Sequence, residues 1–203
     1  MWYLLDASLD SDLYAGLKRG VDRASFESAL HEGQVAGQIH SFPIKAGDAM
    51  FIPSGRVHAI GAGNLIVEVQ QNSDTTYRVF DWNRLGLDGQ PRELHIAESM
   101  ASINFDDVEP AIVAPQGDVL VDCAEFRVER WTLDQPRVSA GPGFAIFAVV
   151  DGRVECGGRN FDRGAFFLLP ATATDRELRP LSPDARVLRT TVPARVSSPW
   201  QSS

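Results

Sequence analysis

From residue 43 onward the chain alternates short apolar runs with glycine and proline. Residues 49–52 and 65–71 are two such runs, and 75–80 (Thr-Thr-Tyr-Arg-Val-Phe) is a third. Strands at this spacing, closed by turn residues, predict a sandwich or barrel. The opening Trp2-Tyr3-Leu4-Leu5-Asp6-Ala7 also reads as a strand. Residues 13–30 are the clearest helical stretch. There Asp22 or Ser25 can cap a helix that carries Phe26, Ala29 and Leu30 on one face. A second short helix is predicted over 96–103, and Asp106-Asp107-Val108-Glu109-Pro110 reads as an acidic linker. Beyond it, strands are predicted over 125–133, 144–150, 153–156, 165–169 and 186–192. Charged and apolar residues alternate from Phe126 to Trp131, as in a half-buried strand. Asp151-Gly152 between two of these runs is a hairpin signal. Residues 197–203 are expected to fray.

At 203 residues, with 44% hydrophobic residues and 17 glycines, the composition is that of an ordinary globular protein. A net charge of −8 argues against non-specific nucleic-acid binding, which relies on a basic surface. No segment is long and apolar enough to predict a membrane span. The first residues lack the basic flank of a signal peptide, so a cytoplasmic location is expected. A chain that opens directly on a bulky apolar strand suggests sequence upstream of Met1. Cys123 and Cys156 have no metal-type spacing and are expected to be reduced packing residues.

Candidate chemistry centres on Gly47-Asp48-Ala49-Met50-Phe51-Ile52-Pro53-Ser54-Gly55-Arg56-Val57-His58, which reads G-x5-P-x-G-x2-H. An apolar strand followed by a Pro/Gly turn can hold one imidazole at the lip of a barrel, where a metal ion can use it. The first part of the pattern recurs at Gly164-Ala165-Phe166-Phe167-Leu168-Leu169-Pro170. There Thr172 and Asp175 stand where Gly55 and His58 would be. This echo predicts two related β-barrels, the second without a metal.

The G-x5-P-x-G-x2-H run resembles the second signature of the cupins. No H-x-H followed by glutamate, the usual source of further cupin ligands, occurs in the chain. A longer run, Glu68-Val69-Gln70-Gln71-Asn72-Ser73-Asp74-Thr75-Thr76-Tyr77-Arg78-Val79-Phe80-Asp81, resembles the type I mannose-6-phosphate isomerases. So do Pro53-Ser54-Gly55 with His58-Ala59, Leu94-His95-Ile96-Ala97-Glu98-Ser99, and the opening Met1-Trp2-Tyr3-Leu4-Leu5-Asp6. The resemblance is sharp over residues 1–105 and architectural afterwards.

It implies a mostly β fold of tandem cupin-like barrels (jelly rolls). The first would span 1–108, incomplete at its N-terminus, with a helical insertion at about 13–33. The second, metal-free, would span 109–203. The implied activity is a zinc-dependent aldose–ketose isomerase that interconverts mannose 6-phosphate and fructose 6-phosphate. The implied partner is a phosphorylated hexose.

Within the resemblance, His58 is the zinc ligand and Arg78 the catalytic and substrate-binding arginine. Glu68 beside the Gln-Gln-Asn-Ser-Asp run is a supporting residue. Other family ligands lie on strands with no counterpart here, so this chain would be an incomplete form. The reaction passes through an enediol, whose developing charge needs a fixed positive partner. A guanidinium binds such oxyanions bidentately. On residues alone, Arg78 can also be an ion-paired strand residue, with Asp74 or Asp81. His31, His40 and His95 read as structural. The alternative function is a non-catalytic cupin that binds a sugar phosphate or a protein partner. Self-association through an exposed sheet edge is a further expectation.

Overall fold

Residues 1–193 are described by a computed structural model, apart from 9, 10, 74, 83 and 87; the expected fraying of 197–203 lies outside the described residues. The fold is mostly β, and the chain divides into two compact units, Met1–Ile112 and Val113–Ser203. Among the described residues no helix is long and apolar enough to cross a membrane, which says nothing of a membrane β-barrel.

In the first unit, Trp2 and Leu4 point one way from β1 (Trp2–Ala7), and Tyr3 and Leu5 point the other. All four are buried. The strand β2 (Asp12–Leu17) is followed by α1 (Arg23–His31), β3 (Ile39–Pro43), β4 (Ala49–Met50), β5 (His58–Ile60), β6 (Asn64–Glu68) and α2 (Ile96–Ser102). Two three-stranded sheets result, ordered β4-β1-β6 and β3-β2-β5. Trp2, Leu13, Ala15 and Met50 pack together, with Phe42, Ile52 and Ile66 against them. A second cluster joins Phe26 of α1 to Leu17, Ile39, Val57, Val79 and Met100.

Several expectations are corrected in this unit. The helix expected over 13–30 is confined to α1, where Asp22 forms a capping box with Ser25. Residues 12–17 are a strand instead. Leu13, Ala15 and Leu17 are fully buried at alternate positions, although Leu13 and Leu17 alone also fit a helical spacing. The strand expected over 75–80 does not form. Val79 is buried and Phe80 packs against the same cluster, so the two do not face opposite ways as a strand would require. The acidic stretch 106–110 is not a linker. Val108 bridges Leu17, Asp107 pairs with Arg56, and Glu109 pairs with Arg19.

The second unit contains β7 (Val119–Asp122), β8 (Arg127–Thr132), β9 (Arg137–Val138), β10 (Ala145–Asp151), β11 (Arg153–Cys156), β12 (Arg159–Asp162), β13 (Phe166–Leu169), β14 (Glu177–Pro180) and β15 (Arg186–Thr191). They form sheets ordered β13-β10-β15-β8-β7 and β12-β11-β14-β9 around one core. Trp131, Phe147, Val149 and Val187 come from one side, and Val154, Cys156 and Leu178 from the other. Cys156 and Cys123 are free thiols, and burial pushes the Cys156 thiol up. Asp151-Gly152 is not a hairpin. It is a corner, because β10 pairs with β13 and β15 while β11 pairs with β12 and β14. The alternation expected along β8 slips by one residue. Val128 and Trp131 are both buried, next to a register shift between β7 and β8.

The strand pairings of the two units repeat in detail. On β1 and β6, Trp2 opposes Glu68, Tyr3 opposes Val67 and Leu4 opposes Ile66, with a bulge before Asp6. On β10 and β15, Phe147 opposes Arg189, Ala148 opposes Leu188 and Val149 opposes Val187, with a bulge before Asp151. Gly47 N–H donates to Leu4 O at 2.8 Å, and Gly164 N–H donates to Val149 O at 2.8 Å. Both glycines hold a left-handed φ, 92° and 88°, that suits a residue without Cβ. The prolines that follow open the same turn: Arg56 N–H donates to Pro53 O, and Ala173 N–H to Pro170 O.

Candidate functional site

The turn at residues 53–56 fixes the start of β5. Gly55 has φ 86°, and a Cβ there would lie 3.0 Å from Ser102 O. Its carbonyl accepts from Asn104 N–H at 2.9 Å. Arg56 then clamps the turn. Nε and Nη2 reach the two carboxylate oxygens of Asp107 at 2.8 and 2.7 Å, and Nη1 donates to Phe51 O at 2.6 Å. Both partners of this pair are 14% exposed, so the forked geometry is shielded from water.

His58 follows, with its ring exposed and Nδ1 2.8 Å from Arg56 O. A carbonyl can only accept, so Nδ1 carries the proton and Nε2 keeps its lone pair outward. The ring meets Trp2 edge-on, with centroids 5.1 Å apart and planes at 75°. Trp2 is 3% exposed, and its indole N–H donates to Glu68 Oε1 at 2.9 Å. Because Trp2 and Glu68 oppose each other in register, both side chains leave the sheet on one face. One buried indole thus braces the imidazole with its edge and holds the carboxylate with its N–H.

Arg78 lies on the irregular segment after β6 and is half-buried. Its Nη1 donates to Glu93 O at 3.1 Å, its backbone N–H to His95 Nδ1 at 3.3 Å, and its carbonyl accepts from His95 N–H at 2.8 Å. Val57 and Val79, the residues next to His58 and Arg78, share one buried cluster. Asp81 attracts Arg78 but is bound by Arg92, whose guanidinium grips it through Nε and Nη2. That hydrogen bonding holds the Asp81 carboxyl below the usual carboxylate range, against the cost of its burial, and Arg84 and Arg78 add to the effect. Asp74, the other acid considered for Arg78, lies outside the described residues. The sequence reading passed over Trp2, Arg56, Asp107 and Arg92. The available signals were the arginine inside the Pro-Ser-Gly-Arg-Val-His run and the acidic stretch at 106–109.

No family model matches the chain. Among curated proteins it is 33% identical over 184 residues to the probable mannose-6-phosphate isomerase GmuF of Bacillus subtilis, a match covering 84% of this chain and 58% of that protein. It is 30% identical over 159 residues to mannose-6-phosphate isomerase ManA of the same organism, covering 74% and 50%. Among solved structures, the mannose 6-phosphate isomerase from Bacillus subtilis superimposes with a TM-score of 0.79 at 27% identity, over 94% of this chain and 63% of that one. The chain is a homologue of the mannose-6-phosphate isomerases. It spans about half the length of the curated relatives it matches. A mannose 6-phosphate isomerase solved with zinc and yttrium shares the fold, with a TM-score of 0.62 at 14% identity over 94% of this chain and 65% of that one.

A metal centre in this isomerase homologue would need ligands that converge on His58 Nε2. Among the described residues, no group of three or more His, Cys, Asp or Glu side chains is placed to hold a metal ion. The described residues therefore do not by themselves fit a catalytic zinc, which takes about three protein ligands. In the second unit the position of Glu68 is taken by Arg189. That arginine is engaged by Glu129 at 2.5 Å, Ser139 Oγ at 3.0 Å and Ala140 O at 2.7 Å.

Proposed function

We propose that this chain serves aldose–ketose isomerisation between mannose 6-phosphate and fructose 6-phosphate. The observation that carries the reading is the 33% identity over 184 residues to an isomerase of that name, a match that covers most of the chain. In this reading the units are two cupin-like barrels, 1–108 and 109–203, and the repeated register of β1–β6 and β10–β15 supports them as duplicates. The second is read as metal-free, and the Arg189–Glu129 pair, with Arg189 standing where Glu68 stands in the first unit, supports that reading.

In this reading His58 would offer Nε2 to zinc, which would act as a Lewis acid, and the further ligands such a site takes would come from outside the described residues. Glu68 steadies Trp2 and through it the imidazole. Arg78 binds an oxyanion of the sugar phosphate as charge develops on oxygen. Its half-buried position and the Glu93 carbonyl hold the guanidinium in one orientation.

A coupled assay with added zinc tests this reading. The expected result is zinc-dependent turnover that rises with zinc concentration, because one imidazole binds weakly. His58→Ala should abolish the zinc response, and Arg78→Gln should lower kcat by about 10²–10³-fold, the usual loss on removing an oxyanion donor. Turnover unchanged in both variants overturns it. The lack of a three-ligand group among the described residues favours a second reading, non-catalytic binding of a sugar phosphate. Calorimetry with mannose 6-phosphate in the presence of a chelator separates the two. Chelator-insensitive binding without turnover supports the second.

A further inference from the structure

Residues 84–86 and 88–92 hold a tight set of backbone contacts. Leu85 and Pro91 make an isolated antiparallel bridge. Gly86 N–H donates to Gln90 O at 2.7 Å, and Gly89 N–H donates to Gly86 O at 3.0 Å. At the tip, Asp88 spends its Oδ1 on Gln90 N–H at 3.0 Å. Arg84 and Arg92 are the residues just outside the bridge, so closing the loop brings two guanidinium stems side by side. Like charges opposed in this way destabilise a ladder unless something compensates them.

Among the described residues the carboxylate that pairs with both is Asp81, which is 7% exposed. Arg92 grips it with Nε at 2.6 Å and with Nη2. Arg84 comes no nearer than 3.9 Å with Nε. The Arg84 guanidinium lies over the Trp82 ring, 5.6 Å from its centroid, and among the described residues neither its nitrogens nor Arg92 Nη1 donate a hydrogen bond. A shallow recess of about 290 Å³, largely open to solvent, lies here, lined by Arg84, Leu85, Gly86 and Arg92. Two guanidiniums share one carboxylate, with donors left over, beside a space large enough for a small anion and its waters. That is the arrangement a doubly charged oxyanion satisfies, because a planar fork binds phosphate oxygens bidentately.

We propose that Arg84 and Arg92 form a binding site for a phosphate monoester dianion. Asp81 sets the orientation of Arg92, and Arg84 supplies the excess positive charge. The phosphate can come from a phosphorylated sugar or be free inorganic phosphate. Only the first source rests on the isomerase reading.

The test is calorimetry on the full chain at constant ionic strength, with inorganic phosphate, mannose 6-phosphate and mannose as separate titrants. Both phosphates should bind and mannose should not. Arg84→Gln should weaken both by about tenfold, as expected for one lost charge-assisted contact. This variant leaves the Asp81–Arg92 pair in place, and an unchanged thermal midpoint verifies that. Phosphate affinity equal in the wild type and Arg84→Gln overturns the proposal, as does the absence of phosphate binding. A preference for mannose 6-phosphate that is lost in Arg84→Gln assigns the site to the sugar phosphate. Equal affinity for the two phosphates, weakened alike by Arg84→Gln, keeps the site but assigns it to free phosphate. A wild-type chain that shows no isomerase turnover, yet binds phosphate with an affinity that Arg84→Gln weakens, upholds this site while the isomerase reading fails.

Discussion

His58 Nε2 is available because the Arg56 carbonyl, 2.8 Å from Nδ1, accepts the hydrogen bond that Nδ1–H donates. The residue that carries the carbonyl is itself fixed by Asp107. The motifs point to His58 and Glu68 but carry no sign of this support. An ion pair between residues 56 and 107 leaves no periodic trace in a sequence, and nothing in the strand pattern announces that Trp2 will oppose Glu68. The same holds for Asp81, which the sequence offered only as one of two partners for Arg78. Its strongest partner is Arg92, and the pairing gives a pH prediction. Hydrogen bonding from Arg92 depresses the folded-state pKa of Asp81 below its ordinary value of 3.8. A depressed carboxyl stabilises the fold fully above the unfolded pKa, and the contribution is lost as pH falls through the folded value. Amide protection at Gly86 and His95, taken relative to the intrinsic exchange rate at each pH, should therefore fall on acidification below the ordinary carboxylate range. In Asp81→Asn the protection should be lower at neutral pH and change less over that acid range. Protection at Gly86 and His95 that stays constant through the acid range in the wild type would remove Asp81 as the cause.

At the scale of elements, strands were legible where an apolar run had a sheet to join. The runs expected over 144–150, 153–156 and 186–192 fall, to within a residue at each end, on β10, β11 and β15. Legibility failed where two periods fit the same residues, as at Leu13, Ala15 and Leu17, and where β-forming residues had no partner strand, as at 75–80. Hairpin chemistry at Asp151-Gly152 was correct for a turn but gave no sign that the two strands belong to different sheets. The turn before β5 combines a left-handed backbone with a close carbonyl, and both restrict position 55 to glycine. Gly55→Ala should cost about 1–3 kcal/mol from backbone strain alone, with the Ser102 contact adding to it. Urea denaturation measures the loss. A midpoint equal to that of the wild type would show that the turn adapts, and the imidazole would not then owe its position to this glycine.

At the scale of the whole molecule, the two units solve the sheet-edge problem differently. The strand β15 is paired on both sides, by β10 and by β8, and Trp131 of β8 fills the core beneath. Its counterpart β6 pairs, among the described residues, with β1 alone. An unpaired row of backbone donors and acceptors is a template for another strand, and natural proteins blunt such edges with charge. On β6, Leu65 is instead 54% exposed. Sedimentation should accordingly reveal concentration-dependent association of the chain. Leu65→Lys should shift that equilibrium toward monomer, because a lysine on an edge opposes pairing with a second copy, while Trp2, Ile66 and Glu68 on the other face are left as they are. A chain that sediments as monomer at every concentration rules out pairing through β6, and association unchanged by Leu65→Lys moves the contact to another surface.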